Sequence, residues 1–250
     1  MKKVLNFLAC FGILISTQSC GKKESTNSRN NSDQQNNYAT LSENFSNINK
    51  STITKPSLPE YVMYDLKNQT KPKVLRTKAK KLEFPLSTND RKDIKILVEK
   101  FDNEKNIAGL AAPQIGIGKQ IIVFALEPTE ELKKWRKDIE DTMSKTVWIN
   151  PSYKGVGTEK ILDFEGCFSV NDITGKVSRF KTIEYTAYLE NGDKVTGRVS
   201  GFLARIIQHE IDHLNKTGII DLIPKDQWII LSEYLKARTQ KIEKNEEIRQ

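Results

Sequence analysis

Two histidines are all this chain contains, and they stand four residues apart in Gln208-His209-Glu210-Ile211-Asp212-His213. On a helix, positions i and i+4 share one face, one turn apart. The spacing therefore predicts a helix carrying both imidazoles side by side, where they can grip one metal ion. Glu210 follows the first histidine and can aim a carboxylate at the water such an ion activates. The surrounding residues support the same helix. Gly201 opens it, and Leu203, Ile206, Ile207, Ile211 and Leu214 are spaced for burial against a sheet. The chain reads as a metal-dependent hydrolase.

Two imidazoles leave a catalytic ion short of the three protein ligands it commonly takes. The leading candidate for the third is Cys167, in Glu165-Gly166-Cys167-Phe168-Ser169. Gly166 permits a tight backbone approach, and metal binding would hold the sulfur as thiolate. A buried free cysteine is the alternative, and the paired histidines shift the balance toward a ligand. A substrate carbonyl gaining negative charge needs hydrogen-bond donors. Gln114 carries an amide donor behind the rigid Pro113, and the backbone N–H of Phe168 offers a second. Glu210 can pass the proton it takes to a leaving nitrogen.

The start of the chain is not expected to belong to the fold. Met1-Lys2-Lys3 is a short positive region, and Val4 to Ser16 is mostly apolar, the pattern of a signal peptide over 1–20. Ser19-Cys20-Gly21 resembles a bacterial lipoprotein cleavage site, with Thr17 where leucine is usual. Cys20 would be the lipid acceptor and membrane anchor; ordinary cleavage is the alternative. The expectation is an exported protein of the cell envelope, or a cytoplasmic one if the leader is misread. Of three cysteines, Cys10 leaves with the leader, so Cys167 is alone in the mature domain and no intrachain disulfide can form there. Residues 21–65 are rich in Asn, Ser, Lys and Gln and are expected to be a disordered tether.

One domain is expected over 66–240, with a charged tail over 241–250. The fold class is α+β: mostly antiparallel strands packed around the histidine helix, with a C-terminal amphipathic helix from Gln227. A helix is predicted over Thr88–Asn103, where Ile94, Leu97, Val98 and Phe101 form an apolar stripe and Ser87 to Asp90 offer N-caps. Ala108 to Gln114 reads as a loop and Gln120 to Leu126 as a strand. Pro128 to Lys145 reads as a helical surface excursion, with Leu132, Trp135 and Ile139 at helical spacing. Thr146 to Asn150 reads as a short strand ended by Pro151. Strands at Ile183 to Leu189 and Lys194 to Val199 are joined by an Asn191-Gly192 turn. The formal charge of +8 comes from lysines scattered along the chain. Without a basic stripe interleaved with aromatics, no nucleic-acid partner is expected.

Three motifs in order resemble the peptide deformylase family: Gly109-Leu110-Ala111-Ala112-Pro113-Gln114, Glu165-Gly166-Cys167-Phe168-Ser169 and Gln208-His209-Glu210-Ile211-Asp212-His213-Leu214. Weaker likenesses are Leu75-Arg76, Ile149-Asn150-Pro151 and Val177-Ser178-Arg179, and the resemblance spans roughly 72–235. It implies that Cys167, His209 and His213 are the metal ligands and Glu210 the general acid/base. Gln114 and the Phe168 N–H would hold the oxyanion, and Gly109 would leave room for an extended substrate along a strand edge. The implied cofactor is one divalent ion, Fe2+ foremost, with Zn2+, Ni2+ or Co2+ as alternatives. The implied substrate is an N-formylmethionyl peptide and the product formate; separately, a monomer is expected. The chain departs from the family pattern at Ile107, Phe168, Asn171 and Thr174. Ile107 and Thr174 bear on substrate affinity and preference. Two other readings compete. One is an exported metallopeptidase cleaving ordinary peptide bonds. The other is a surface lipoprotein that binds metal or peptide without turnover, against which Glu210 counts, since a binder needs no general base.

Overall fold

Among the described residues two antiparallel sheets carry the fold, and the histidine helix lies against the larger one. The computed structural model describes residues 57–68 and 70–247. The expected leader, Cys20 and most of the expected tether lie outside the described residues, as does the end of the charged tail.

The larger sheet contains β1 (Gly109–Ala111), β2 (Ile121–Leu126), β3 (Met143–Gly155), β6 (Thr182–Tyr188) and β7 (Lys194–Ser200), neighbours in that order. The smaller contains β4 (Lys160–Cys167), β5 (Val170–Phe180) and β8 (Ile229–Ile230). The helices are α1 (Thr88–Asn103), α2 (Glu130–Trp135), α3 (Gly201–Leu214), α4 (Ile219–Leu222) and α5 (Leu231–Glu247).

The run Ile121-Ile122-Val123-Phe124 explains how the larger sheet is covered. Successive strand side chains point to opposite faces, so an unbroken apolar run suits a strand buried on both. Ile122 and Phe124 meet Phe202, Leu203, Ile206, Ile207 and Ile211 of α3. Ile121 and Val123 meet Ile94, Leu97 and Phe101 of α1. Each fully buried side chain of this kind contributes roughly 1.5–3 kcal/mol. Helix α1 starts where the sequence offered several caps. Ser87 is the one used: its hydroxyl accepts from the Asp90 N–H at 3.1 Å, and the Asp90 carboxylate accepts from the Ser87 N–H at 3.0 Å.

Several elements differ from expectation. Ala108 to Gln114 is not a plain loop, because Gly109–Ala111 pairs with β2 before a 3-10 turn at Ala112–Ile115. Pro151 does not end its strand. Asn150 has φ 50°, the β3–β6 register shifts between Ile149 and Ser152, and the irregularity absorbs a residue that cannot donate. The Asn150 side chain instead exchanges hydrogen bonds with the Leu82 backbone. The excursion after β2 is helical only over Glu130–Trp135, so Ile139 lies outside it. Leu132, Trp135 and Ile139 pack on the α3 core as their spacing suggests, and buried Arg136 bridges Asp138 and Asp163 and lies 4.1 Å from the Phe202 ring centroid. The β4–β5 hairpin, unassigned from sequence, runs the length of the second motif. The turn at Asn191-Gly192 is as expected, with Gly192 at φ +92°. Residues placed at the tether's end lie on the domain, where Tyr64 is buried with Leu75 and Val170. Part of the expected tail, 241–247, continues α5.

Candidate metal centre

The first-last order of α3 brings its own two rings together, and the β4–β5 hairpin brings the sulfur. Cys167 ends β4 and is followed by a two-residue turn, Phe168-Ser169, with Cys167 paired to Val170. The His209 and His213 ring centroids are 5.0 Å apart. One ligand atom from each of Cys167, His209 and His213 lies within 4.8 Å of the others, and all three residues are buried. The Cys167 Sγ to His213 Nε2 distance is 3.3 Å. An ion held tetrahedrally at ordinary zinc–sulfur and zinc–nitrogen lengths separates its S and N ligands by about 3.5 Å. The donor set fits a divalent metal, and these residues form a divalent-metal-binding site.

Behind the ligands lies a charge network. His209 Nδ1 is 2.9 Å from Glu165 Oε2, so a proton on Nδ1 is held there and Nε2 is left to offer its lone pair. Arg179 grips Glu165 through Nε and Nη2, both at 2.9 Å, and also pairs with Asp212. Arg205 Nη1 reaches Glu165 at 2.6 Å and donates to the Val177 carbonyl. Two carboxylates thus face two guanidiniums in the interior, where either charge alone would be costly. Burial works against a charged Glu165, but Arg179 outweighs it and holds the carboxyl well below its usual range. Burial likewise disfavours a charged ring at both histidines. At His209 the Cys167 sulfur and Glu165 outweigh it and raise the pKa; at His213 burial and the neighbouring His209 drive it down.

Glu210 sits on the same helix, fully buried, and neither carboxylate oxygen has a hydrogen-bond partner among the described residues. Burial pushes its pKa up to about 7, against the attraction of His209. A carboxyl so placed exchanges a proton near neutral pH. A divalent cation nearby would lower that value. Gly109 backs it directly. A Cβ there would meet Glu210 Oε1 at 2.5 Å and Cγ at 2.7 Å, so the missing side chain makes room for the carboxylate. Strand β1 is an edge strand. The Ala125 N–H donates to the Ala108 carbonyl, and by antiparallel alternation the Gly109 N–H and C=O turn away from β2.

Gln114 follows on the 3-10 turn. Its Oε1 accepts from the Ala111 N–H at 2.8 Å, which aims Nε2 at Cys167 Sγ, 3.5 Å away. The seven residues singled out from sequence, Gly109, Gln114, Cys167, Phe168, His209, Glu210 and His213, are thus drawn from β1 and its following turn, the β4–β5 turn and α3. Of the departures, Ile107 packs against the α1 core, Asn171 is exposed, and Thr174 is buried with its hydroxyl on the Glu165 carbonyl at 2.9 Å. Sequence reasoning assigned no role to Glu165, Arg179, Arg205 or Asp212. The signal available was charge inside the motifs, at Glu165 and Asp212, and between them, including an arginine in the apolar face of α3.

The family model described as Polypeptide deformylase matches residues 65–228. Peptide deformylase 2 of Rickettsia conorii is 53% identical over 189 residues, covering 75% of this chain and 94% of that protein. The crystal structure of peptide deformylase from Ehrlichia chaffeensis matches with a TM-score of 0.57 at 26% identity, covering 77% of this chain and 98% of that one. A class I type b peptide deformylase from Acinetobacter baumannii with Met-Ala-Ser bound matches with a TM-score of 0.53 at 27% identity, covering 66% and 99%.

Proposed function

The chain belongs to the peptide deformylase family, and from that premise we infer that it is a metal-dependent amide hydrolase removing the N-formyl group from N-formylmethionyl peptides, with release of formate. The observation that carries this activity is a fully buried Glu210 carboxylate, without a hydrogen-bond partner among the described residues, on the helix that supplies two of the three metal ligands.

When bound, the divalent ion supplies Lewis acidity, making water nucleophilic near neutral pH. Cys167, His209 and His213 would hold it, and Glu165 keeps the His209 ring in the tautomer that can ligate. Glu210 accepts the proton lost by the attacking water and returns it to the departing amine nitrogen, so that formate and a free amino terminus leave. Gln114 Nε2 and the Phe168 N–H donate to the oxygen that gains charge, and each such donor is worth about 2.7–4 kcal/mol in comparable sites. The Ala111 N–H prevents the Gln114 amide from turning its oxygen to the substrate. The open edge of β1 at Gly109 offers backbone groups to an extended peptide. Fe2+ is the ion we propose, on the family resemblance; imidazole and thiolate also suit zinc.

Protein loaded with Fe(II) or Zn(II) is given formyl-Met-Ala-Ser, unformylated Met-Ala-Ser and casein. Formate from the first alone is the expected outcome. Casein cleavage supports a peptidase instead, and silence on every substrate with tight metal binding supports a binder. The Glu210→Gln variant keeps its metal and loses at least about a hundredfold in turnover. Export with a lipid at Cys20 is also our proposal, supported by the Lys2-Lys3 start, the apolar run and Ser19-Cys20. Labelled palmitate incorporation that vanishes in Cys20→Ala tests it, and persistent labelling refutes it.

A further inference from the structure

The two proposed oxyanion donors stand on separate elements. Gln114 belongs to the 3-10 turn after β1, and Phe168 to the turn between β4 and β5. Donors of this kind act only if their spacing is held close to that required by the transition state. A short segment ahead of the first regular element joins both turns. The Val62 N–H donates to the Gln114 carbonyl at 2.8 Å, and the Tyr64 N–H donates to the Ser169 carbonyl at 2.9 Å. Two amides, two residues apart on one segment, therefore tie one donor-bearing turn to the other. Tyr61 fixes the segment's outer end. Its ring stacks on Phe168, with centroids 5.0 Å apart and planes within 13°. Lys100 of α1 lies over the same ring at 4.3 Å, and the Tyr61 hydroxyl donates to Glu104 Oε2 at 3.1 Å. Tyr64 fixes the inner end, buried in the cluster that includes Cys167, Val170 and Ile219.

We propose that Tyr61–Tyr64 is a positioning strap that sets the separation of the Gln114 amide and the Phe168 N–H. Tyr61 is its anchoring side chain. The proposal rests on the deformylase reading. The strap makes none of the chemical contacts itself. Helix α1 holds Tyr61, Tyr61 holds Phe168, and the strap's amides hold the two turns in register. Loss of the anchor should weaken contacts made most strongly in the transition state, so turnover falls while substrate affinity is kept.

The test uses the full-length protein as wild type, Tyr61→Phe and Tyr61→Ala. The readouts are kcat and KM for formyl-Met-Ala-Ser, metal per protein, and hydrogen–deuterium exchange of the turn at 167–170. Tyr61→Ala should lower kcat by at least about fivefold with KM within about twofold, as a small misplacement of catalytic donors does. Its metal content should match wild type, and exchange at the turn should quicken. Tyr61→Phe keeps the stacked ring and should restore both kcat and slow exchange. If Tyr61→Ala does not fold, Lys100→Ala, which removes the α1 contact to the Tyr61 ring, should lower kcat in the same direction. A smaller fall in kcat, or a rise in KM with kcat unchanged, overturns the strap. A wild-type protein that releases no formate sinks the deformylase reading instead, and unchanged exchange in Tyr61→Ala sinks the strap independently of activity.

Discussion

Replacing Gly109 by alanine isolates the contact on which the placement of Glu210 depends. The added Cβ would lie 2.5 Å from Oε1, 2.7 Å from Cγ and 2.8 Å from Cδ of Glu210. Ordinary contact begins at 3.4 Å, so the side chain must retreat by about 0.7 Å at Cγ. Turning the carboxylate about its last bond does not relieve a clash that reaches back to Cγ, and Glu210 is fully buried. Overpacking of this kind costs about 1–3 kcal/mol of stability. A displacement near 1 Å at a reacting group costs on the order of a hundredfold in kcat. The ligands Cys167, His209 and His213 are not the atoms displaced, so metal content should stay at the wild-type level. Formate release and metal analysis measure the two effects, and urea denaturation measures the third. The decisive arm is a double-mutant cycle in stability. In a Glu210→Ala background the obstructing atoms are gone, and Gly109→Ala should cost almost nothing. An equal cost in both backgrounds would refute the contact as the reason for glycine here.

Two other perturbations probe the surroundings of the site. Glu165→Gln removes the carboxylate shared by His209, Arg179 and Arg205, leaving two buried guanidiniums poorly paired. It should destabilise the fold by about 3–5 kcal/mol, read by urea denaturation, and weaken metal binding about 10–100-fold, read by competition with a chelator. Far from the site, hydrogen bonds from Lys119 and Ser87 hold the Asp90 carboxyl down to about 2. Its folded pKa lies below its unfolded one, so its contribution is present above about pH 4 and is lost as pH falls toward about 2. Asp90→Asn should therefore be less stable than wild type by about 1 kcal/mol at neutral pH, with the gap closing in acid. A gap that stays constant down to pH 2 contradicts the assignment.

Much of the site was legible because its residues announce themselves locally. The i, i+4 histidines fix a helix face without knowledge of anything else. Cys167 stood out because it was the one cysteine left for the domain and sat behind a glycine. Helix α1 was readable end to end, since apolar period and cap agree. The network around Glu165 was not legible. A glutamate, two arginines and an aspartate at 165, 179, 205 and 212 acquire their roles only when the β4–β5 hairpin folds against α3. The hairpin itself lacks clean alternation: Lys160, Ile161 and Leu162 are all exposed in succession. Pro151 misled because the rule against proline in strands gives way at a register shift. The strap was hidden by its polar neighbours, although Tyr61, Val62 and Tyr64 are apolar enough to dock.

If a sulfur from the β4–β5 turn and two imidazoles of α3 hold one ion, X-ray absorption at the metal edge of anaerobically purified protein reads all three ligands at once. The expected first shell contains one sulfur at about 2.3 Å and nitrogen scatterers at about 2.0–2.1 Å if zinc is loaded, with the sulfur lost in Cys167→Ser. A shell of nitrogen and oxygen alone in the wild-type protein, at one metal per chain, would contradict it.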